Sequence, residues 1–299
     1  MKGSWKSKLT SGLFVLPYLL CFGVFLLYPL VSGLVLSLQN NDMLGTHEFV
    51  GFKNYKDIFT PGTYVHDSFV RGLWGTLKFV VYSVPVLIAV GLALALLVGA
   101  LTAKARGLFR TVFFLPYAIS ATVMATIWMR VFDTDSGFLN LMLDRLHIHR
   151  SQHIGWFTDT PWVWIALVAS TVWWTIGFNM MLFINGLNEV PEELYEAAKI
   201  DGASAWQRLI RITLPSIKNV TAVVLIMTVI ASFNVFAQPN LMTRGGPGFE
   251  TNVMLMKVFD VAYGQHQGGA ASAMAILLGL IMMAVSAILY RLMFRKEAS

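Results

Sequence analysis

The chain has 299 residues, of which 56% are hydrophobic and only 13% are charged. Soluble domains carry roughly 25% charged residues, so this composition excludes an ordinary soluble fold and requires lipid around much of the surface. The formal net charge of +6 does not indicate nucleic-acid binding, because the basic residues lie in short clusters beside apolar runs. We predict an all-α integral membrane protein in which residues 1–299 form one domain.

Several stretches are long and apolar enough to cross a bilayer, which takes about 20 consecutive, mostly apolar residues. We predict about six transmembrane helices, which run approximately over residues 11–38, 76–101, 111–132, 161–187, 220–242 and 270–294. The first stretch is longer than the apolar region of a cleaved signal peptide, which is about 7 to 15 residues, and no clear small-residue cleavage site follows it. We therefore expect it to remain as a helix.

The distribution of Lys and Arg predicts the orientation, because these residues concentrate in cytoplasmic loops. If the N-terminus is inside, most of the 22 Lys and Arg residues fall in inside segments: Lys2, Lys6, Lys8, Lys104, Arg106, Arg110, Lys199, Arg208, Arg211, Lys218, Arg291, Arg295 and Lys296. We predict that both termini face the cytoplasm.

The histidines then fall in outside loops, where His147, His149 and His153 lie close together. This run lacks the carboxylate or cysteine neighbours and the helical spacing of a metal site. We expect a solvated loop and no metal site.

The inside segment 188–215, between the fourth and fifth spans, predicts secondary structure of its own. Pro191 suits the first position of a helix, and the glutamates that follow it suit the positive end of the helix dipole. Gly202 should end this helix. Ser204 and Gln207 have the spacing of a capping box, which predicts a second helix towards the fifth span.

The first of these helices presents small and acidic residues. Leu194, Ala197 and Ala198 share one face, where low side-chain bulk would let the backbone of a partner approach. Glu196 and Asp201 add negative charge, which suits a docking element for a cytoplasmic protein. The alternative is an amphipathic helix on the membrane surface; such helices are usually rich in Lys and Arg with bulky apolar anchors, so we favour docking.

One motif in this segment is specific. Glu196-Ala-Ala-x-x-Asp201-Gly-Ala203, continuing through Ile212-Thr-Leu-Pro215, resembles the EAA loop of permeases from binding-protein-dependent ABC importers. In that family the loop forms a coupling helix that sits in a cleft of the ATP-hydrolysing subunit. The family often has phenylalanine where Leu209 stands, a mild apolar change. The resemblance implies these ATPase contacts: Glu196, Ala197, Ala198, Asp201, Gly202 and Ala203.

Other segments resemble sugar permeases of the maltose type. They are Leu16-Pro-Tyr, Tyr28-Pro-Leu, Val50-Gly-Phe-Lys-Asn-Tyr55, Leu115-Pro-Tyr, and Thr243-Arg-Gly-Gly-Pro247 with Thr251. The resemblance implies a type I ABC importer permease fold in the inner membrane of a prokaryote, and carbohydrate as the cargo. It also implies partners: a second homologous permease, two ATP-binding subunits and an extracytoplasmic solute-binding protein.

The sequence contains no Gly-x-x-x-x-Gly-Lys-Ser/Thr pattern that could hold ATP phosphates. We therefore expect a non-catalytic chain without a cofactor of its own, with ATP and Mg bound by a partner. The principal alternative is an ion-coupled secondary transporter, which the sparse charges within the spans disfavour. A membrane-embedded enzyme is disfavoured by the lack of a catalytic group cluster.

Polar residues within a span more often face the bundle interior or a water-filled path than lipid. The fourth and fifth spans carry Trp173, Trp174, Thr175, Asn179, Asn185, Thr228, Ser232, Asn234 and Gln238. Amides suit sugar hydroxyls because they both donate and accept hydrogen bonds, although such residues can also serve packing or bond their own helix. Maltose-type permeases place sugar contacts on the two helices that flank the EAA loop. That resemblance implies these pathway residues: Trp173, Gly177, Asn179, Ser232 and Asn234.

Overall fold

The computed structural model describes residues 5–42, 45, 47–147 and 153–294, and of residues 5–12 only the backbone. Four residues used in the predictions above lie outside the described residues: Lys2, His149, Arg295 and Lys296.

Helices make up most of the described chain. In order, the elements are α1 (Trp5–Phe22), a π-helical turn (Gly23–Leu27), α2 (Tyr28–Ser37), β1 (Gln39–Asn41), β2 (His47–Phe49), α3 (Lys53–Phe59), α4 (Tyr64–Gly99), α5 (Ala103–Phe114), a 3₁₀ turn (Leu115–Ala118), α6 (Ala121–Val131), α7 (Phe138–Arg145), α8 (Trp162–Asn188), α9 (Glu192–Ile200), α10 (Ala205–Arg208), a π-helical turn (Leu209–Thr213), α11 (Leu214–Ser216), α12 (Lys218–Phe233), a π-helical turn (Pro239–Thr243), α13 (Met254–Phe259), a π-helical turn (Asp260–Gly264) and α14 (Gly268–Phe294).

The chain divides into two compact units, the first of which comprises residues up to Phe69 together with Lys257–Gly279. In this unit β1 and β2 form an antiparallel pair after the first long helix. Asn54 Nδ2 fastens α3 to the start of this pair by donating to the carbonyl oxygens of Ser37 at 2.8 Å and Gln39 at 2.9 Å. A buried amide that spends its hydrogens on backbone carbonyls in this way fixes the local chain path.

The second unit comprises Val70–Met256 together with the residues from Leu280 onward. Its helix α8 is apolar around most of its circumference, as expected for a helix that other helices surround. Val163, Leu167 and Phe183 of α8 are almost completely buried and belong to the hydrophobic cores of this unit. Because α8 lies inside these cores, its buried polar side chains Ser170, Thr171 and Asn179 face protein rather than lipid.

Among the described residues, four unbroken helices are long and apolar enough to cross a membrane: Leu13–Ser37, Tyr64–Gly99, Trp162–Asn188 and Gly268–Phe294. Two bent helix pairs raise the number to six if each pair is one span. These results agree with the prediction of an all-α membrane protein with about six spans. That residues 1–299 form one domain stays a prediction.

Two predicted spans are not the continuous helices that their apolar composition indicated. Within 111–132, α5 and the 3₁₀ turn meet α6 at an angle of 100°. Pro116 has no amide hydrogen for a helical bond, and Ser120 begins α6 anew by accepting the amide of Val123 at 3.3 Å. Within 220–242 the α-helix ends at Phe233. The mean apolar composition of a stretch does not reveal such breaks, because it does not register single residues such as Pro116 and Asn234.

Candidate functional site

The segment 188–215, which we call the docking segment, contains a helix that is closed by a left-handed glycine. Gly202 has a φ of +73°, which residues with a Cβ rarely adopt. The amide of Ala203 donates to the carbonyl of Ala198 at 2.9 Å, and that of Gly202 donates to Lys199 at 3.1 Å. These two bonds make a Schellman motif. The prediction that Gly202 ends the helix is confirmed.

A second helix follows at once. The amide of Ser204 donates to Gln207 Oε1 at 2.7 Å, and the amide of Gln207 donates to Ser204 Oγ at 3.3 Å, so the predicted capping box is confirmed. Pro191 lies one residue before the first helix rather than at its first position. The second helix contains the π-helical turn Leu209–Thr213, just before Pro215, whose ring cannot supply an amide hydrogen for a regular α-helical bond.

The two helices of the docking segment are held together and enclose a hollow. Tyr195 Oη and Thr213 Oγ1 are 3.0 Å apart and share a hydrogen bond, which ties α9 to the π-helical turn. The hollow has a volume of about 320 Å³. It is lined by Ala198, Asp201, Gly202, Ala203, Gln207, Arg208, Arg211 and Ile212.

Four of the predicted docking residues therefore line the hollow, and the other two, Glu196 and Ala197, are exposed on α9. Sequence reasoning missed two apolar side chains. Ile200 is 87% exposed and Trp206 is 68% exposed. Both stand beside polar or small neighbours in the sequence, so a large apolar side chain within the predicted docking helices was the signal that could have identified them.

A cavity of about 530 Å³ lies in the second unit, with walls formed largely by α8 and α12. Its polar lining residues are Thr171, Thr175, Asn179, Thr228, Ser232, Asn234 and Gln238. Its aromatic lining residues are Phe79, Tyr117, Trp174, Phe178 and Phe236. The cavity is large enough for a small-molecule ligand, for which sites of about 300–1,000 Å³ are usual.

Three predicted pathway residues, Asn179, Ser232 and Asn234, line this cavity together. Trp173 and Gly177 do not line it. The ring of Trp173 instead packs edge-on against Trp128 at a centroid distance of 5.8 Å. The residue that faces the cavity is its neighbour Trp174, because a step of one residue turns the side chain by about 100° around the helix.

Gly177 has a packing role in this structure. A Cβ at this position would collide with the carbonyl group of Phe113 and would lie 2.6 Å from Phe114 Cα. Glycine therefore lets the backbones of α5 and α8 touch. Tyr117, which follows α5, was not predicted as a pathway residue, although its Leu115-Pro-Tyr motif had been noted in the sequence.

Hydrogen bonds fix the polar wall of the cavity. Asn179 Nδ2 donates to Thr228 Oγ1 at 3.2 Å, across from α8 to α12. Gln238 Nε2 donates to Thr171 Oγ1 at 3.3 Å and holds the chain after α12 against α8. Trp174 Nε1 donates to the carbonyl oxygen of Ile119, at the bend between α5 and α6. The cavity is thus largely apolar, and its polar groups are held in place before any ligand binds.

Comparison with known proteins identifies the chain. A family model described as "Binding-protein-dependent transport system inner membrane component" matches residues 62–298. The chain belongs to this family. The predicted relationship to permeases of ABC importers is confirmed.

Relatives of this permease are similar over almost its whole length. The Bacillus subtilis "Probable ABC transporter permease protein YurN" is 32% identical over 284 residues, which cover 94% of each chain. The "Arabinooligosaccharides transport system permease protein AraP" of Bacillus subtilis is 31% identical over 96% of this chain and 90% of its own. The "Trehalose/maltose transport system permease protein MalF" of Thermococcus litoralis is 31% identical over 89% and 87%.

Solved structures share the fold of the permease. One chain in the crystal structure of a bacterial ABC transporter involved in the import of the acidic polysaccharide alginate superposes with a TM-score of 0.81. It is 22% identical, and the match covers 97% of this chain and 96% of that one. The predicted ABC importer permease fold is confirmed.

A loop after the fifth span of the permease is bound to α4. Lys78 Nζ lies 2.6 Å from Glu250 Oε1, and Trp164 Nε1 donates to the same oxygen at 3.3 Å. The hydrogen bond from Lys78 holds the pKa of Glu250 below its ordinary value of 4.5. Nearby, the amide of Met254 donates to Thr76 Oγ1 at 2.8 Å. The Thr243-to-Pro247 motif lies in this loop, so these contacts with α4 hold the segment that follows the motif in place.

Within the run of three histidines, His153 makes two polar contacts of its own, and His149 lies outside the described residues. His153 Nε2 lies 3.0 Å from Asp144 Oδ2, and its Nδ1 lies 3.0 Å from the carbonyl oxygen of Thr134. Within the described ranges no group of three His, Cys, Asp or Glu side chains could hold a metal ion.

Proposed function

We propose that this permease is a non-catalytic subunit that moves a carbohydrate across the cytoplasmic membrane of a prokaryote. The observation that carries the proposal is the cavity between α8 and α12, whose wall combines aromatic rings with amide and hydroxyl groups. Amides and hydroxyls match sugar hydroxyls, because both donate and accept hydrogen bonds. Aromatic rings can cover the apolar face of a sugar ring. The names of AraP and MalF, which refer to arabinooligosaccharides and to trehalose or maltose, support the same cargo class.

The sugar contacts that we propose on this chain are Asn179, Ser232 and Asn234, which line the cavity from both helices. The cavity lies between the helices that precede and follow the docking segment. A movement of the docking segment would therefore reach the cavity through α8 and α12 directly. This arrangement suits a subunit that alternates between inward-open and outward-open states.

We propose that the docking segment couples the permease to a separate ATPase, which binds ATP and Mg. The small residues Ala197, Ala198 and Ala203 leave room for a partner's backbone, and Glu196 and Asp201 supply charge for specific pairing. Ile200 and Trp206 in the same segment are large, exposed apolar side chains that a docked partner could cover, which supports the same role.

The proposed assembly contains a second homologous permease, two ATP-binding subunits and an extracytoplasmic solute-binding protein. Both termini and the docking segment would face the cytoplasm. The opposite face, including the loop with Gly245-Gly-Pro247, would meet the binding protein. The first span supports pairing in the membrane, because its apolar side chains, such as Phe14 and Phe25, are largely exposed and available to lipid or to the second permease. No nucleic-acid partner is proposed.

The coupling proposal can be tested by Gly202→Asp in the reconstituted importer. Aspartate is among the few residues that tolerate a left-handed backbone, so the turn should survive while a charged side chain enters the docking surface. We expect sugar-stimulated ATP hydrolysis and uptake to fall by about tenfold or more, which corresponds to roughly 1.4 kcal/mol of lost docking free energy. Uptake of radiolabelled arabino- and malto-oligosaccharides into proteoliposomes is the measurement.

Gly62→Asp is the matched control. Gly62 also has a left-handed backbone, with a φ of +86°, and open space around the position of a Cβ. It lies before α4, far along the chain from the docking segment, and the same substitution there should leave coupling intact. If Gly202→Asp leaves uptake unchanged, or if uptake persists without any ATPase, the coupling proposal is wrong and an ion-driven transporter becomes the better explanation.

A further inference from the structure

The cavity between α8 and α12 contains no charged side chain among the described residues that line it. We infer that this cavity selects uncharged sugars and rejects sugars that carry a carboxylate, sulfonate or phosphate group. The inference rests on the proposed function and adds the charge of the cargo to it. The fold alone does not determine the charge of the cargo, since the alginate importer, which has the same fold, imports an acidic polysaccharide.

The donor groups of the cavity are already engaged in part. Three threonine hydroxyls donate to backbone carbonyl oxygens of their own helices: Thr171 to Leu167 at 2.8 Å, Thr175 to Thr171 at 2.8 Å and Thr228 to Val224 at 2.7 Å. The indole N–H of Trp174 also already donates a hydrogen bond, to the carbonyl oxygen of Ile119. These side chains therefore turn oxygen lone pairs or a ring, rather than hydrogens, towards a ligand.

The amides behave in the same way. Asn179 and Gln238 each donate one amide hydrogen to a threonine oxygen of the wall, and Asn234 Nδ2 donates to the carbonyl oxygen of Ile230. Their side-chain oxygens, with two lone pairs each, stay able to accept. The hydroxyls of Tyr117 and Ser232 and the remaining amide hydrogens are neutral donors.

A polyol and an anion meet this wall very differently. A polyol supplies the hydrogens that the wall's oxygens lack, and it accepts from the few neutral donors. An anion needs a cation, or donors that converge on its charge, because an unpaired carboxylate loses its hydration at great cost in an apolar bundle. The neutral donors of this wall are spread over different segments of the chain, and no cation lies among the described lining residues. The aromatic wall adds to the discrimination, since the faces of rings such as Tyr117 and Phe178, which are stacked at 5.4 Å, carry negative potential.

The experiment uses maltotriose and arabinotriose, each as two derivatives that are oxidised at the reducing end. The aldonate carries one negative charge, and the aldonamide has nearly the same shape without it. Uptake of both is measured in proteoliposomes that contain the complete importer. For the sugar that is carried, we expect the uptake rate of the aldonate to be about one tenth of that of the aldonamide, or lower.

A variant pair assigns the discrimination to the cavity rather than to the solute-binding protein. Asn234 is exposed in the cavity wall, so Asn234→Lys can add a cation there, and Asn234→Met adds similar length without charge. The ratio of aldonate to aldonamide uptake should rise several-fold in Asn234→Lys and stay near the wild-type ratio in Asn234→Met. Because the binding protein is the same throughout, its own preference cancels. Ala231→Lys, also in the wall, replaces Asn234→Lys if that variant does not insert.

Each outcome decides. A wild-type ratio near one overturns the charge selection while the proposed carbohydrate transport stands. A low ratio that Asn234→Lys does not raise places the discrimination outside this cavity and also overturns the inference. If neither sugar nor any derivative is taken up or stimulates ATP hydrolysis, the proposed function fails, and the inference fails with it.

Discussion

The docking segment is shaped by hydrogen bonds between neighbours in the sequence, whereas the cavity is shaped by contacts between residues far apart. In the docking segment, Ala203 bonds Ala198, and Ser204 bonds Gln207. In the cavity, Asn179 bonds Thr228, and Gln238 bonds Thr171. The first kind of contact follows rules of helix capping that can be read from single residues. The second kind exists only once the helices are packed.

This difference leads us to expect opposite responses to substitution. A change in the docking segment should alter coupling while the membrane helices stay folded. A change that forces packed helices apart beside the cavity should instead destabilise the fold. The predictions below test this contrast, beginning with the largest effect.

Gly177→Ala should destabilise the permease by about 3 kcal/mol, because a methyl group forced between packed backbones requires α5 and α8 to separate. A Cβ at Gly177 would collide with the carbonyl of Phe113. The measurement is the midpoint of thermal unfolding of the purified chain in detergent.

Gly107→Ala is the matched control. Gly107 is also a helical glycine, in α5, but has open space around it, so alanine should be neutral or slightly stabilising there. Equal effects at the two positions would contradict the proposed close approach of the helices.

The same contrast shows how much could be predicted from the sequence. The capping box at Ser204 and the helix end at Gly202 were predicted correctly, because each depends on a few adjacent residues. Membrane spans were predicted from composition, which locates a helix but does not reveal the 100° bend at the end of α5. The bend depends on which backbone amides find partners, and the identity of the apolar residues does not decide that.

For the cavity, polarity in the sequence identifies several lining residues, but the sequence alone does not show how α8 is rotated. Asn179, Ser232 and Asn234 were selected as polar residues within spans, and they line the cavity. Trp173 and Trp174 are chemically identical in the sequence, and only the packing of α8 turns one towards the cavity and the other towards Trp128. Gly177 was selected by position, but the neighbouring backbone of α5 fills the space beside it.

The tryptophan pair offers a second test of this contrast, with a moderate effect. Trp174→Phe keeps an aromatic ring in the cavity but loses the hydrogen bond to Ile119, which is worth about 1 kcal/mol. Without this bond the ring is no longer held in place, and ordering it when sugar binds costs up to the same free energy, so we expect sugar uptake to fall about fivefold. Trp173→Phe, which keeps the contact with Trp128, should retain nearly normal uptake. The two rates are compared in proteoliposomes at equal protein content, and a larger loss in Trp173→Phe would mean that the pathway does not follow this cavity.

The smallest effect that we predict lies at the ion pair between Lys78 and Glu250, a long-range contact at the surface. Lys78→Met should destabilise the permease by about 0.5 kcal/mol at neutral pH, since both side chains are partly exposed and solvent screens the pair.

The contribution of this ion pair to stability should depend on pH. The pKa of Glu250 is lower in the folded chain than its ordinary value of 4.5, so the pair contributes fully above that pH and loses its contribution as the pH falls through the folded-state value. The difference in unfolding temperature between wild type and Lys78→Met should therefore be present at neutral pH and vanish well below pH 4.5. Lys104→Met, at an exposed position in α5, controls for the loss of a positive charge. A difference that persists unchanged in acid would show that Lys78 acts through the packing of its chain and that the loop is not held by charge.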